Sequence, residues 1–342
     1  MSRGGLSGPS ELALRHAGRI AKPGLLLVNP PADGVVPALE EAGAVDMQVN
    51  VWRRSAERSI RTTSAEVTLD LTPAAGEAAG ALLYIPREKA LASAMVGLLA
   101  TRLQRAGTLW VVGDNRAGGK SADRLLGARF GTVRKVDAAR RSSLFEATGP
   151  HAASAPAFTP EQFEISIGGR ELTLCTLPGV FSAGRLDTAT ALLLEHLPPL
   201  DGRILDFGCG CGVIGAVVAA GNPQTDVTLL DDSIFAVAAS RATLAANALQ
   251  GRVVPSDGLM DVEGSFDAII SNPPFHQGAD TDYDVAEGLI ASAPERLFRG
   301  GQLLIVANDF LDYGRRMRDA FGNCEILAQA RGFRVYCSRR SR

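Results

Sequence analysis

The feature that most constrains the fold is a glycine-rich turn between an apolar run and a helical pattern. The run covers residues 203–207, and the turn Gly208-Cys209-Gly210-Cys211-Gly212 follows it directly. Glycines let the backbone approach a ligand closely, and the N-terminus of the following helix then faces that ligand. A strand, turn and helix in this order predict a nucleotide-binding α/β unit. The turn alone does not identify the ligand, since dehydrogenases share it.

The rest of the second half continues the α/β alternation, and polar residues stand where the predicted strands end. Strands at 227–230 and 252–255 end at Asp231 and near Asp257, and the strand at 266–270 runs into Ser271-Asn272-Pro273-Pro274-Phe275-His276. The carboxyl ends of parallel strands meet at one edge of a sheet, where ligands bind. We therefore expect these residues to line one crevice.

The acids at the strand ends favour S-adenosylmethionine over a dinucleotide. Asp206 would repel a pyrophosphate but suits an ammonium group or a bridging water. Asp231 can accept the two ribose hydroxyls, and Asp257 can meet the adenine amine. The alternative is a structural domain whose acids only cap helices. The predicted cofactor-binding residues are Asp206, Gly208, Gly210, Gly212, Asp231, Asp257 and Asn272.

The Asn-Pro-Pro-Phe stretch predicts a site for a planar amine. Two prolines fix φ and remove two backbone donors, so the turn is rigid and rich in acceptors. The amine would donate its hydrogens to the Asn272 side-chain oxygen and the Pro273 carbonyl, while Phe275 covers the ring. The predicted catalytic residues are Asn272, Pro273, Pro274 and Phe275. A role for His276 as a base is an alternative, although a freed amine lone pair needs no base before attack.

The first half of the chain repeats the pattern of the second in weaker form. Residues 108–115 are placed like residues 302–309, each after a long helix and a glycine-containing turn. We infer an internal duplication whose first copy lacks the glycines and acids. Asn29-Pro30-Pro31 is then an ordinary turn, Gly118-Gly119-Lys120-Ser121 lacks the first glycine of a P-loop, and Ser10 is expected to cap a helix over 11–19. An Ala/Pro/Ser-rich stretch at 149–160 predicts domains at 1–155 and 156–342.

The composition says more about the cellular setting of the protein than about its function. The net charge of −2 indicates no general nucleic-acid binder, so any basic surface is local. The five cysteines are odd in number and scattered, which is typical of a reducing, cytoplasmic setting, and no apolar run reaches membrane-spanning length. Cys209 and Cys211 lack a second pair, so we expect packing and no metal. The chain is expected to be a monomer.

The residues resemble the bacterial small-subunit (16S) ribosomal RNA guanine-N2 methyltransferases. The runs that carry the resemblance are Thr176–Ser182, Leu205–Val213, Ala239–Asn247 and Ile269–His276, with Val112–Arg116, Ser121-Ala122 and Lys135–Arg141 in the first half. The resemblance implies two tandem Rossmann-like class I methyltransferase domains, each with a seven-stranded, mostly parallel sheet. The first would be a degenerate copy that supports folding and RNA binding. Ribosomal RNA or the assembled small subunit would be the partner.

The same resemblance assigns Gly208, Gly210 and Asp231 to the cofactor and residues 272–275 to the target base. It gives less support to the assignment of Asp257, because the family can carry other polar residues at that position. Arginines offered as phosphate contacts, or else as a solvated rim, are Arg140, Arg141, Arg331, Arg334, Arg339 and Arg340.

Several other functions stay open from the sequence. The sister enzymes of large-subunit (23S) RNA share the Asn-Pro-Pro-Phe-His turn. Adenine N6 and a protein glutamine amide are also planar amines. A non-enzymatic RNA-binding assembly factor with a relict cofactor site is a further class. A nicotinamide oxidoreductase is disfavoured by Asp206 and by the Asn-Pro-Pro stretch.

Overall fold

A computed structural model describes residues 5–60, 62, 64–74, 76–151, 158–181, 184–273 and 280–341, with the backbone alone for 280–284. The chain divides into two compact units, Met1–Phe158 and Thr159–Arg342. The predicted boundary at 155/156 lies outside the described residues. In the part of the chain that the structure describes, no helix is both long and apolar enough to cross a membrane.

The first unit is a seven-stranded sheet with helices between its strands. Its strands are β1 (Leu26–Val28), β2 (Gln48–Val51), β3 (Glu66–Leu69), β4 (Ala78–Tyr84), β5 (Leu103–Asp114), β6 (Phe130–Ala139) and β7 (Ser142–Pro150). Its helices are α1 (Gly8–Arg15), α2 (Ala17–Ile20), α3 (Val35–Glu41), α4 (Arg54–Ser59), α5 (Lys89–Arg102) and α6 (Ala122–Gly127). The strand order is β3-β2-β1-β4-β5-β7-β6, and β7 pairs antiparallel with both β5 and β6.

The second unit repeats this topology after a two-stranded hairpin, β8 (Glu161–Ile167) and β9 (Arg170–Thr176). The sheet strands are β10 (Arg203–Phe207), β11 (Asp226–Asp231), β12 (Arg252–Pro255), β13 (Phe266–Ser271), β14 (Leu297–Asn308), β15 (Glu325–Ala330) and β16 (Phe333–Arg339). The helices are α7 (Thr188–Glu195), α8 (Val213–Gly221), α9 (Ile234–Ala246), α10 (Asp280–Arg296) and α11 (Tyr313–Phe321). The order β12-β11-β10-β13-β14-β16-β15 matches that of the first unit strand for strand, which confirms the predicted duplication and mostly parallel sheets.

The strand registers show which residues of the two units occupy equivalent positions. The N–H of Asn29 donates to the carbonyl of Asn50 at 2.8 Å, as the N–H of Gly208 donates to the carbonyl of Leu230 at 2.9 Å. Counting along the strands from these bonds, Leu27 and Val51 of the first unit stand where the second unit has Asp206 and Asp231. The same count on β4 places Tyr84 at the position of Asn272. The first copy therefore has apolar residues in place of both acids.

Burial explains why the central strands read as continuous apolar runs. Both faces of a parallel sheet are covered by helices, so residues of either face lie in a core. In the second unit, Leu205, Ile269, Leu303 and Ile305 are fully buried, in one cluster with Tyr336 of β16. Each such side chain contributes roughly 1.5–3 kcal/mol by leaving water. This core holds the carboxyl ends of the strands in fixed positions.

The helix α1 begins earlier than the sequence predicted. Ser7, not Ser10, is its N-cap, and the N–H of Ser10 donates to the Ser7 hydroxyl at 3.4 Å. Pro9 lies in the first turn, where its fixed φ suits a helix and its missing N–H costs no hydrogen bond. Ser10 is buried inside the helix, and its hydroxyl lies 3.1 Å from that of Tyr84. The prediction of Ser10 as the cap was wrong.

Candidate active site

Backbone hydrogen bonds to the neighbouring strand β11 hold the glycine-rich turn that follows β10. The N–H groups of Gly208 and Cys209 both donate to the carbonyl of Leu230, each at 2.9 Å. Gly208, Gly210 and Gly212 have φ values of 71°, 55° and 80°, in the left-handed region that favours glycine. The backbone conformation alone therefore favours glycine at all three positions.

The three glycines differ in what surrounds them. A Cβ at Gly208 or Gly210 would meet no atom within 4 Å, whereas a Cβ at Gly212 would lie 2.9 Å from the Ser240 hydroxyl. Gly212 therefore lets α8 pack against α9. Gly208 and Gly210 leave open space above the turn, on the edge of the sheet where the strands end. That space suits a ligand in close contact with the backbone.

Asp206 lies at the end of β10 and is almost completely buried. One carboxylate oxygen, Oδ2, accepts the N–H of Gly215 in the first turn of α8 at 2.9 Å. Burial raises the pKa of this carboxyl to about 7; the bond from Gly215 opposes the rise, and the charge of Asp231 adds to it. The other oxygen, Oδ1, is buried without a hydrogen bond from any described residue. Such an unpaired acceptor fits an ammonium group or a bridging water of a bound cofactor.

Asp231 joins the glycine turn to the next helix. Its Oδ2 accepts the N–H of Gly210 at 3.0 Å, and its Oδ1 accepts the N–H of Ser233, the residue before α9, at 2.8 Å. A carboxylate oxygen can accept more than one hydrogen bond, so a ribose hydroxyl can donate to this side chain as well. Asp257 lies just after β12 and is half-buried, and its N–H donates to the Asp261 carboxylate at 3.1 Å. Asp206, Asp231 and Asp257 thus all lie at the carboxyl edge of the sheet.

Asn272 follows β13 at the same edge, next to the glycine turn. The Ser271 hydroxyl donates to the carbonyl of Phe207 at 2.8 Å, which ties the end of β13 to the end of β10. The Asn272 amide nitrogen donates to Asp187 Oδ2 at 3.0 Å and to Thr190 Oγ1 at 2.8 Å. Pro273, the next residue, is buried. Pro274, Phe275 and His276 lie outside the described residues, so their predicted roles stay predictions.

Asp187 and Thr190 are two further residues of the site, which the sequence did not indicate. Asp187 is the N-cap of α7 and accepts the Thr190 N–H at 2.9 Å. Asp is a common N-cap residue, so its place before a helix is an ordinary local signal. Nothing in that local pattern reveals that the same two side chains reach Asn272, 85 and 82 residues further on.

Cys209 and Cys211 are buried beside the glycine turn. The Cys209 Sγ lies 3.2 Å from the Ser240 hydroxyl, which in turn donates to the carbonyl of Gly210 at 3.0 Å. Burial raises the pKa of Cys211 to about 11 and that of Cys209 well above its ordinary value, so both are thiols at neutral pH. Among the described residues, no group of three or more His, Cys, Asp or Glu side chains is arranged to hold a metal ion. Cys209 therefore packs the turn against α9, and Cys211 is buried in the same turn.

Comparison with known protein families also divides the chain into two parts. Residues 171–337 match the family described as methyltransferase small domain. Residues 10–164 match the family described as methyltransferase small domain N-terminal.

Curated relatives cover nearly the whole chain. The ribosomal RNA small subunit methyltransferase C of Pseudomonas entomophila (strain L48) is 44% identical over 336 residues, covering 96% of this chain and 97% of that protein. The protein of the same name from Vibrio vulnificus (strain CMCP6) is 45% identical over 258 residues, 75% of each chain. Among solved structures, the T. thermophilus 16S rRNA N2 G1207 methyltransferase (RsmC) in complex with AdoMet and guanosine has a TM-score of 0.86. It is 28% identical, with 99% of this chain and 93% of that chain covered.

Proposed function

The chain belongs to the family of the ribosomal RNA small subunit methyltransferases C, and on that premise we propose how its own residues carry out the reaction. It is an S-adenosylmethionine-dependent methyltransferase that acts on the exocyclic N2 of a guanine in 16S ribosomal RNA. This function is assigned to the second unit because the residues of the site meet at one edge of its sheet. A glycine turn open to a ligand, two cofactor-directed acids and the Asn272 amide meet there.

We infer that the cofactor lies over the glycine turn. The open space at Gly208 and Gly210 admits its backbone-contacting part, Asp231 accepts the ribose hydroxyls, and Asp206 Oδ1 takes the ammonium group or a water. Asp257 is placed to meet the adenine amine. The bound cofactor supplies an electrophilic methyl group on a sulfonium. The chain's contribution is to orient that methyl towards the end of β13 and to keep bulk water away from it.

Asn272 and Pro273 hold the target amine. A guanine taken out of its stack donates the two N2 hydrogens to Asn272 Oδ1 and the Pro273 carbonyl, and Phe275 covers its ring. Two acceptors draw the amine towards a tetrahedral shape and expose its lone pair for in-line attack. The bound cofactor would supply the methyl group that N2 takes up, and the proton lost from N2 would pass to water. Most of the rate then comes from positioning, together with neutralisation of the sulfonium charge.

The first unit is assigned to folding and RNA binding, because the acids of the cofactor site are replaced there by Leu27 and Val51. The partner is small-subunit ribosomal RNA, either naked or within the assembled subunit. The monomeric state and the cytoplasmic setting remain predictions.

The test is a methylation assay with methyl-labelled S-adenosylmethionine. Small subunits, large subunits and their naked RNAs are taken from cells that lack the gene, so that the target is unmodified, and the products are digested to nucleosides. Label in N2-methylguanosine from small-subunit RNA is the expected result, and the better substrate of the two forms identifies the natural particle. Label confined to large-subunit RNA, to N6-methyladenosine or to protein would contradict the proposal.

A further inference from the structure

We propose that Asp187 and Thr190 are positioning residues that fix the orientation of the Asn272 amide, so that its oxygen and not its nitrogen faces the target amine. The inference rests on the proposed role of Asn272 and adds two residues to it. Both residues belong to the start of α7, outside the glycine turn and outside the Asn-Pro-Pro stretch. They act through Asn272 and need not touch the substrate.

The geometry allows one orientation of the amide. The Asn272 nitrogen carries two hydrogens and meets two acceptors, Asp187 Oδ2 at 3.0 Å and Thr190 Oγ1 at 2.8 Å. A flipped amide would place its oxygen against the Asp187 carboxylate, which has no hydrogen to donate. With both hydrogens engaged, Oδ1 is the polar atom that remains for a ligand. An amine with hydrogens to donate is therefore selected over an acceptor.

The two acceptors are themselves held in place. Asp187 Oδ2 accepts the Thr190 N–H at 2.9 Å and the Thr190 hydroxyl at 3.2 Å. The hydroxyl hydrogen thus points at Asp187, and a lone pair of Oγ1 is left to accept from Asn272. Thr190 is buried, which keeps water from competing for these bonds. The three side chains form one network with a single consistent assignment of donors and acceptors.

The degenerate unit has the same contact without the free acceptor. There Ser7 caps α1, the Ser10 N–H donates to it, and the Ser10 hydroxyl lies 3.1 Å from the Tyr84 hydroxyl. Tyr84 stands at the position of Asn272, and burial raises the pKa of its hydroxyl. A contact between the helix cap and the end of the fourth strand is therefore a property of the fold. What distinguishes the second unit is an amide at this place, which uses its nitrogen for the fold and keeps its oxygen for a ligand.

The network also explains why position 272 carries an amide and not a carboxylate. In an Asn272→Asp variant, a second carboxylate would stand about where the amide nitrogen is, 3.0 Å from Asp187 in the present structure. Two carboxylates at this distance cannot both be ionised without a large cost. An Asp187→Asn change in the same chain would remove the like charge, and the Thr190 hydroxyl could then donate to the carboxylate introduced at position 272. The effects of the two changes should therefore depend on each other.

The experiment measures kcat, KM for RNA and the cofactor dissociation constant for the full chain and five variants. The variants are Thr190→Val, Thr190→Ser, Asn272→Asp, Asp187→Asn and the double change at 187 and 272. We expect Thr190→Val to lower kcat about tenfold, the equivalent of one hydrogen bond, with the cofactor constant unchanged. Thr190→Ser keeps the hydroxyl and should restore most of the rate. Asn272→Asp should lower kcat about a hundredfold, and Asp187→Asn should recover about tenfold of that loss.

Two outcomes would overturn the inference. One is additivity, in which Asp187→Asn changes the rate of the Asn272→Asp enzyme by the same factor as that of the unmodified chain. The other is a Thr190→Val variant whose losses of rate and of cofactor affinity are equal, as expected from damage to the helix alone. Failure of the proposed function would look different. The unmodified chain itself would then methylate no guanine in 16S RNA.

Discussion

The carboxyl of Asp206 makes the stability of the cofactor-free protein depend on pH. Its pKa is raised from 3.8 to about 7, first by burial and then by the charge of Asp231, against the opposing bond from Gly215. Between these values the folded chain binds a proton that the unfolded chain has released. This contribution to stability is complete below pH 4 and is lost as the pH rises to about 7; its full size is on the order of 4 kcal/mol.

An Asp206→Asn variant, which has no charge to gain, should lack this contribution. We expect the free energy of unfolding of the unmodified protein to fall between pH 5 and pH 8 by more than that of the variant. Urea denaturation at the two pH values, without cofactor, measures the difference. Equal falls in both proteins would show that Asp206 does not titrate in this range.

Gly210 offers a test of the cofactor site that separates backbone strain from loss of ligand space. A Gly210→Ala change adds a methyl at a φ of 55°, and Gly168, in the turn between β8 and β9, has a φ of 58° and equally open surroundings. Both alanine variants should lose a similar stability, about 1–2 kcal/mol, from the left-handed backbone. Only Gly210→Ala should weaken cofactor binding, by about tenfold or more, since its methyl projects into the space over the turn. Calorimetric titration of both variants with S-adenosylmethionine checks this, and equal affinities would move the cofactor elsewhere.

At the scale of elements, the hairpin of β6 and β7 carries two arginines in an unfavourable turn. Arg140 and Arg141 both have positive φ, 52° and 59°, where a two-residue turn prefers Asn and Gly. Arg140 makes an ion pair with Glu11 at 3.0 Å, but the Arg140 side chain is 65% exposed and that of Glu11 is 38% exposed, so the pair adds little stability. Residues that keep a strained backbone conformation, at a cost in folding stability, are often found at binding sites.

Replacing the two arginines together, Arg140→Asn and Arg141→Gly, should therefore change stability and RNA binding in opposite directions. We expect the free energy of unfolding to rise by about 1–2 kcal/mol. The affinity for 16S RNA should fall, and its dependence on salt concentration should become weaker, as expected from the loss of about one to two phosphate contacts. Denaturation and filter binding at several salt concentrations measure both effects. An Arg331→Asn change in the matching β15–β16 hairpin, where φ is 57°, provides the parallel case in the second unit. Unchanged RNA affinity in both would leave the arginines as a solvated rim.

The elements show which parts of the fold sequence could predict. Strands such as β10 and β12 were located to the residue, because apolar runs between turn residues are local signals. The start of α1 was missed because Ser7 and Ser10 are equally good caps and only Pro9 decides between them. The contact of Asp187 and Thr190 with Asn272 could not be predicted, since it depends on how α7 packs on β14 and so brings its first turn to the residue that follows β13. Sequence patterns predicted that the site residues share one edge of the sheet, but not which side chains hold the Asn272 amide in its orientation.

At the scale of the whole molecule, the duplication raises the question whether the first unit still binds cofactor. It has a cavity of about 460 Å³ at the carboxyl edge of its sheet, lined among others by Asn29, Arg53 and Tyr84. The cavity therefore occupies the place where a cofactor would lie. Its chemistry is different, because Val51 at the position of Asp231 is apolar and buried and offers no acceptor to a ribose. A guanidinium in the lining also disfavours the positively charged sulfonium and ammonium groups.

We therefore expect one molecule of S-adenosylmethionine per chain, bound by the second unit. Isothermal titration of the full chain should give a stoichiometry near one, and Asp231→Ala should abolish the whole signal, because no second site remains. Val51→Asp is the matched change in the first unit; it restores only one of the missing acids and should leave the stoichiometry at one. Binding of two molecules by the unmodified chain, or residual binding in Asp231→Ala that a change at Arg53 or Tyr84 removes, would show that the first copy has kept its site. A single site would mean that the duplication left the second unit to do the chemistry and freed the first for other contacts.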